Sequence, residues 1–206
     1  DLHALSESGA LSPPFVMVGH SLGGILIRVY DARYPGEVEG FVFVDSSHPD
    51  QERRAPVEVQ RSGGGGPPIA PMRVLGRIGV LRLMARMGAP DREYSELDRT
   101  ALDFAPTCML AAMTEAVARD SVVAQGVRTG TLDSRPIVVL TAGKASEDRR
   151  PGVPEEVYAQ IAALKEELQR ELAELSTNSD HRVVSDAGHV IQGDDPEAVA
   201  EAIRDV

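Results

Sequence analysis

The chain has 206 residues, 42% hydrophobic and 26% charged, with 21 Lys and Arg against 32 Asp and Glu and a formal net charge of −11. That length and balance suit one globular domain with a sizeable core and exclude a disordered chain. The acidic excess repels phosphate backbones and anionic lipid, so neither nucleic acid nor a membrane surface is an expected partner, and no apolar run is long enough to span a bilayer.

Residues 2 to 8 read as the tail of a helix closed by Gly9. The chain opens at Asp1 without a methionine. An N-terminally truncated chain is therefore expected, cytoplasmic unless a signal lay further upstream. "PPFVMVGH" gives a short apolar run, Phe15 to Val18, that reads as a strand buried on both faces. "GILIRVYDARYP" then has helical spacing at Ile25, Leu26, Val29 and Tyr30 and stops at Pro35. "VEGFVFVDSSHP" supplies a second buried strand, Phe41 to Val44, completing a strand–turn–helix–strand unit.

After Pro49 the composition turns polar, and "RSGGGGPP" at 61 to 68 reads as a hinge or loop. Helical segments are expected at 72 to 88, from about 95 to 102, and at 106 to 120. The first sets Arg73, Arg77, Arg82 and Arg86 against Val74, Leu75, Ile78, Leu81, Leu83 and Met84, an amphipathic pattern expected to cover a core. Cys108, the one cysteine, can form no internal disulfide and is expected as a small buried hydrophobe.

From residue 136 strands and helices alternate again. "RPIVVLTAG" is a third buried strand, 137 to 141. The next helix carries an apolar stripe at Val157, Ile161, Leu164, Leu168, Leu172 and Leu175. "HRVVSDAGH" is a fourth strand running into a loop, and "DPEAVAEAIRDV" a closing helix with Asp195 as N-cap and Pro196 in its first turn.

Gly19-His20-Ser21-Leu22-Gly23 matches Gly-x-Ser-x-Gly, a weak signal alone but set here between a buried strand and a helix. Glycines at 19 and 23 would relieve backbone crowding, and Ser21 would stand exposed at a helix N-terminus with the Leu22 N–H facing a developing oxyanion. A phosphate loop is disfavoured because no Gly-Lys-Ser/Thr ending follows. A serine needs a base. His3 lies in the terminal helix, His20, a possible pocket residue, is expected to point away from the serine's face of the turn, and His181 is expected at the surface of its strand. His48 follows the second strand and is a possible pocket residue, while His189, in a loop just beyond the last strand, is best placed to reach Ser21.

In this order, "VGHSLGG", "GFVFVDSSHPDQ", "RPIVVLTAG" and "DAGHVIQGDDPEAVAEAI" resemble the α/β-hydrolase superfamily. The resemblance covers residues 1–50 and 135–206 and implies a mostly parallel sheet flanked by helices, with 51–134 as a helical cap insertion. It implies Ser21 as nucleophile, His189 as base and Leu22 as an oxyanion donor, in the order serine, acid, histidine. Two acids stay open. Asp45 ends the second strand, where haloalkane dehalogenases and certain lipases carry theirs; Asp148 lies beyond the third strand, near the commoner position, which Ser146 occupies here. The function implied for the complete protein is hydrolysis of a small ester or related acyl compound through an acyl-enzyme, with no cofactor and no metal; the truncated chain alone is expected to be inactive. The alternatives are a C–C hydrolase or cofactor-free perhydrolase using the same triad, or a non-catalytic binding protein. Oligomeric state stays open.

Overall fold

The computed structural model describes residues 2–62, 69–87, 95–144 and 152–206. The expected hinge at 61–68 falls mostly outside them, and Asp148 wholly so. In chain order the elements are α1 (Leu2–Glu7), β1 (Phe15–His20), α2 (Gly23–Arg33), β2 (Val38–Val44), α3 (Gln51–Arg54), α4 (Val57–Ser62), α5 (Ile69–Arg77) and α6 (Val80–Met87). They continue with α7 (Glu96–Gly126), β3 (Ile137–Ala142), α8 (Glu155–Ala173), β4 (Ser179–Val184), α9 (Ile191–Asp194) and α10 (Pro196–Arg204).

The strands form one parallel sheet in the order β1-β2-β3-β4. Parallel neighbours need crossovers that cover both faces, which is why β2 and β3 are nearly continuous apolar runs. Side chains alternate between two cores. Met17, Phe41, Phe43, Ile137 and Val139 point to one face and pack with Ile27 and Tyr30 of α2 and Leu172 of α8. Val42, Val44, Val138, Leu140 and Ala142 point to the other, against Ile191 of α9 and Val199 and Ala202 of α10. Phe41 and Phe43 are fully buried, each contributing about 1.5–3 kcal/mol by transfer from water.

Register positions the chemistry. His20 lies opposite Val44, and Val44 opposite Leu140. Ser21 and Asp45, the next residues, therefore emerge side by side from the carboxyl ends of neighbouring strands, where ligands of open α/β sheets bind. The closing helix begins as expected: the Asp195 side chain accepts a hydrogen bond from the Ala198 N–H, and Pro196 occupies the first turn.

The chain divides into two compact units, 1–63 with 122–206, and 64–121. Several expectations for the middle differ from what forms. The helix expected over 72–88 is two helices, because Gly79 takes φ +80° between α5 and α6, a conformation disfavoured for other residues. Conversely, the segments at 95–102 and 106–120 join into α7, which runs through Pro106. Of the amphipathic set only Leu81 is buried, while Val74, Ile78, Leu83 and Met84 are exposed. Cys108 is also exposed, on α7. Among the described residues no single helix is long and apolar enough to cross a membrane.

Candidate active site

Ser21 leaves β1 with φ +53°, in the left-handed region, at a cost of about 1–3 kcal/mol for a residue with a side chain. Hydrogen bonds hold it there: its N–H donates to Val44 O at 3.2 Å, and its carbonyl accepts from the Ser47 N–H at 2.8 Å. Two glycines make the turn possible, but not quite the expected pair. A Cβ on Gly19 would lie 2.7 Å from the Gly23 carbonyl and the Gly24 nitrogen, and a Cβ on Gly24 would lie 2.4 Å from Ser46 Cβ. At Gly23 it would meet nothing within 4 Å, so the close approach belongs to 24 instead. Ser46, buried, fastens the turn from the other side by donating to Gly19 O at 2.6 Å. Leu22 precedes the first hydrogen-bonded turn of α2, which starts with the Gly24 N–H on Ser21 O.

Asp45 ends β2 in a similar backbone state, φ +41°, and its carboxylate is almost fully buried. Its Oδ1 accepts from the Ala142 N–H at 2.9 Å and faces Lys165 Nζ at 2.8 Å. Its Oδ2 meets His189 Nδ1 at 2.7 Å. Burial by itself would raise the Asp45 pKa, but the hydrogen bonds from His189, Lys165 and Ala142 outweigh it and hold the carboxyl below its ordinary value. An ionised carboxylate only accepts, so the proton sits on His189 Nδ1 and leaves Nε2 as a lone pair. Among the described residues no hydrogen bond joins Ser21 Oγ to that ring, an arrangement common before substrate binds.

His20 does not point away as expected. Its ring lies 4.7 Å from that of His189, and its Nε2 donates to the His189 carbonyl at 2.8 Å, tying the histidine loop to the end of β1. His48 is held elsewhere: its Nδ1 accepts from the Asp50 N–H at 3.1 Å, and its Nε2 lies 3.5 Å from Glu171 of α8. Burial lowers the His48 pKa. His181 is half-buried rather than at the surface, with Nε2 2.8 Å from Thr141 Oγ1, and burial lowers its pKa too. The site thus gathers Ser21, Asp45, His189, His20 and Lys165. Nothing in the sequence singled out Lys165, because a lysine on a solvated helix carries no mark of its partner. Among the described residues no group of three or more His, Cys, Asp or Glu could hold a metal.

A family model described as "Alpha/beta hydrolase family" matches residues 1–202. The chain belongs to the α/β-hydrolase family. A curated relative in Gibberella zeae, an AB hydrolase superfamily protein, is 23% identical over 99% of this chain and 68% of its own length. A solved structure of a probable hydrolytic enzyme from Pseudomonas aeruginosa PAO1 matches with TM-score 0.53 and 20% identity, over 98% of this chain and 66% of that one. A haloalkane dehalogenase variant from Bradyrhizobium elkanii matches with TM-score 0.53 and 18% identity, over 98% and 69%. These likenesses carry the fold alone. The chain spans about two thirds of the length of each of these proteins.

Proposed function

We propose that this α/β-hydrolase chain carries the nucleophile, acid and base of a serine hydrolase acting on an ester or related acyl substrate. The observation that carries the reading is the Asp45–His189 contact at 2.7 Å, made from the strand adjacent to the one that delivers Ser21. A tethered imidazole with a free Nε2, and a strained serine at the end of the neighbouring strand, are the parts that activation of a hydroxyl requires.

In this reading Ser21 Oγ attacks the acyl carbon while His189 Nε2 takes the hydroxyl proton. Negative charge collects on the carbonyl oxygen, toward the Leu22 N–H. Collapse breaks the bond to the leaving group, which departs with the proton from His189 and leaves Ser21 acylated. His189 then removes a proton from water, the hydroxide attacks the acyl-enzyme, and the acid is released as Ser21 regains its proton. Asp45 fixes the imidazole tautomer and stabilises the imidazolium in both halves. A serine, not a carboxylate, at position 21 fits acyl transfer rather than halide displacement. Residues 51–134 are assigned to the superfamily's cap insertion.

A fluorophosphonate probe tests the assignment. It is expected to modify Ser21 and to leave Ser21→Ala unlabelled. Modification at Ser46 or Ser47 instead would overturn it; Ser46 is buried and already donates to Gly19 O.

A further inference from the structure

We propose that Lys165 is a positioning residue of the candidate site, holding the Asp45 carboxylate in place and drawing part of its charge away from His189. The proposal rests on the serine-hydrolase reading above. Lys165 stands on α8, outside all the segments that resemble the superfamily's motifs. Its ammonium reaches Asp45 Oδ1 at 2.8 Å and the Ala142 carbonyl at 3.2 Å, bridging the ends of β2 and β3. One turn further along α8, Gln169 donates to Ser46 O at 2.7 Å. Residues four apart share a helix face, so α8 grips the two residues after β2 with two successive side chains. Ser46 passes that grip to Gly19 of the serine turn.

The division of labour on the carboxylate gives the consequence. Oδ1 is taken by Lys165 and the Ala142 N–H, so Oδ2 alone serves His189. The carboxylate cannot rotate without breaking a charge-assisted bond. The ammonium also partly neutralises the carboxylate charge that faces the ring. Around His189 the other titratable or charged groups among the described residues are few. His20 comes from the end of β1, Lys144 follows β3 with its N–H on Ala187 O, and Asp186 and Asp194 belong to the histidine's own loop and α9. Asp194 is engaged with the Gly188 N–H at 2.7 Å. Lys165 is the group that shares the Asp45 carboxylate with His189.

Losing the cation leaves the full Asp45 charge facing the ring, which favours its protonated form. In K165M the acid limb of the fluorophosphonate labelling rate should move to higher pH, and in K165R it should stay where the wild type has it. The plateau rate should fall about three- to tenfold as the carboxylate loses an anchor. NMR titration of the His189 Cε1–H, assigned by its loss in H189Q, reads the same shift without any turnover. A folded K165M whose His189 titrates within about 0.2 unit of wild type, or lower, overturns the proposal. If K165M does not fold, K165Q is read in its place; failure of both to fold makes Lys165 a structural residue and also overturns it. A His189 shift in a chain that no probe labels would refute the serine-hydrolase reading while leaving the Lys165–Asp45–His189 coupling standing.

Discussion

Replacing Asp45 by asparagine changes one atom, and the hydrogen-bond directions around that atom determine the effect. Oδ1 faces two donors, the Ala142 N–H at 2.9 Å and Lys165 Nζ at 2.8 Å, whereas Oδ2 faces only His189 Nδ1 at 2.7 Å. An amide has one acceptor and one donor end. Turning its NH₂ toward Ala142 and Lys165 would set it against two donors, so the oxygen must stay there. The NH₂ then donates to His189 Nδ1, which forces the ring proton onto Nε2. That nitrogen can no longer accept the Ser21 proton.

The loss expected for a wrong tautomer of this kind is about 10⁴ in kcat, equivalent to about 5.4 kcal/mol of transition-state stabilisation. Folding should suffer far less, by about 1.5–3 kcal/mol for the lost charge-assisted bonds. The assay is acyl transfer, or the rate of fluorophosphonate labelling, beside urea unfolding of the same preparations. The pH dependence has a definite sign. The Asp45 pKa is held below its ordinary value, so its contribution to stability is present above the ordinary carboxylate range and fades as pH falls through the lowered native value. D45N should therefore show a flatter acid limb of stability than wild type. A folded D45N with activity within tenfold of wild type would refute the reasoning and return the role of acid to Asp148.

Two further outcomes follow from packing. Ala at Gly24 puts its Cβ 2.4 Å from Ser46 Cβ and 2.5 Å from Ser46 Oγ, and should cost about 1–3 kcal/mol in urea unfolding of the 206-residue chain; Ala at Gly23, where nothing lies within 4 Å, should change stability by less than about 0.5 kcal/mol, and equal losses at the two positions would contradict the geometry. Arg28 is 5% exposed and its Nε and Nη1 have no hydrogen-bond partner among the described residues, so R28M should unfold at the same or higher urea concentration, gaining up to about 2 kcal/mol; a loss above about 1 kcal/mol would mean that a water or ion satisfies the guanidinium.

The sheet was legible because burial on both faces leaves a signature in a single segment. "FVFV" and "IVVL" can be read as strands without knowing what they touch, since a parallel strand between two helical layers needs apolar residues at every position. The helices of 64–121 were less legible for the converse reason. The Arg and Leu pattern of α5 and α6 announces an amphipathic helix but not where it breaks, and the break depends on the backbone of Gly79. Likewise proline reads as a helix stop, yet Pro106 lies within α7: the ring removes one hydrogen bond, a local penalty that flanking helix can outweigh.

The candidate site divides along the same line. Ser21 and Asp45 each follow directly on a strand, so their placement could be read from segment boundaries plus the adjacency of consecutive strands, and His189 from its position after the last one. What the chain order could not supply is the set of contacts that tells one carboxylate from another. Asp45 owes its environment to Ala142, Lys165 and His189, which lie 97, 120 and 144 residues downstream. Neither Ala142 nor Lys165 carries a local mark of the encounter. His20 shows the same limit from the other side: in an elbow its identity is unconstrained by the turn, and only the folded loop brings its Nε2 to the His189 carbonyl. A motif states which backbone will be strained. The partners that hold the strain, and so decide whether a hydroxyl or a carboxylate can act, are set by strand register and by the face α8 turns toward the strand ends.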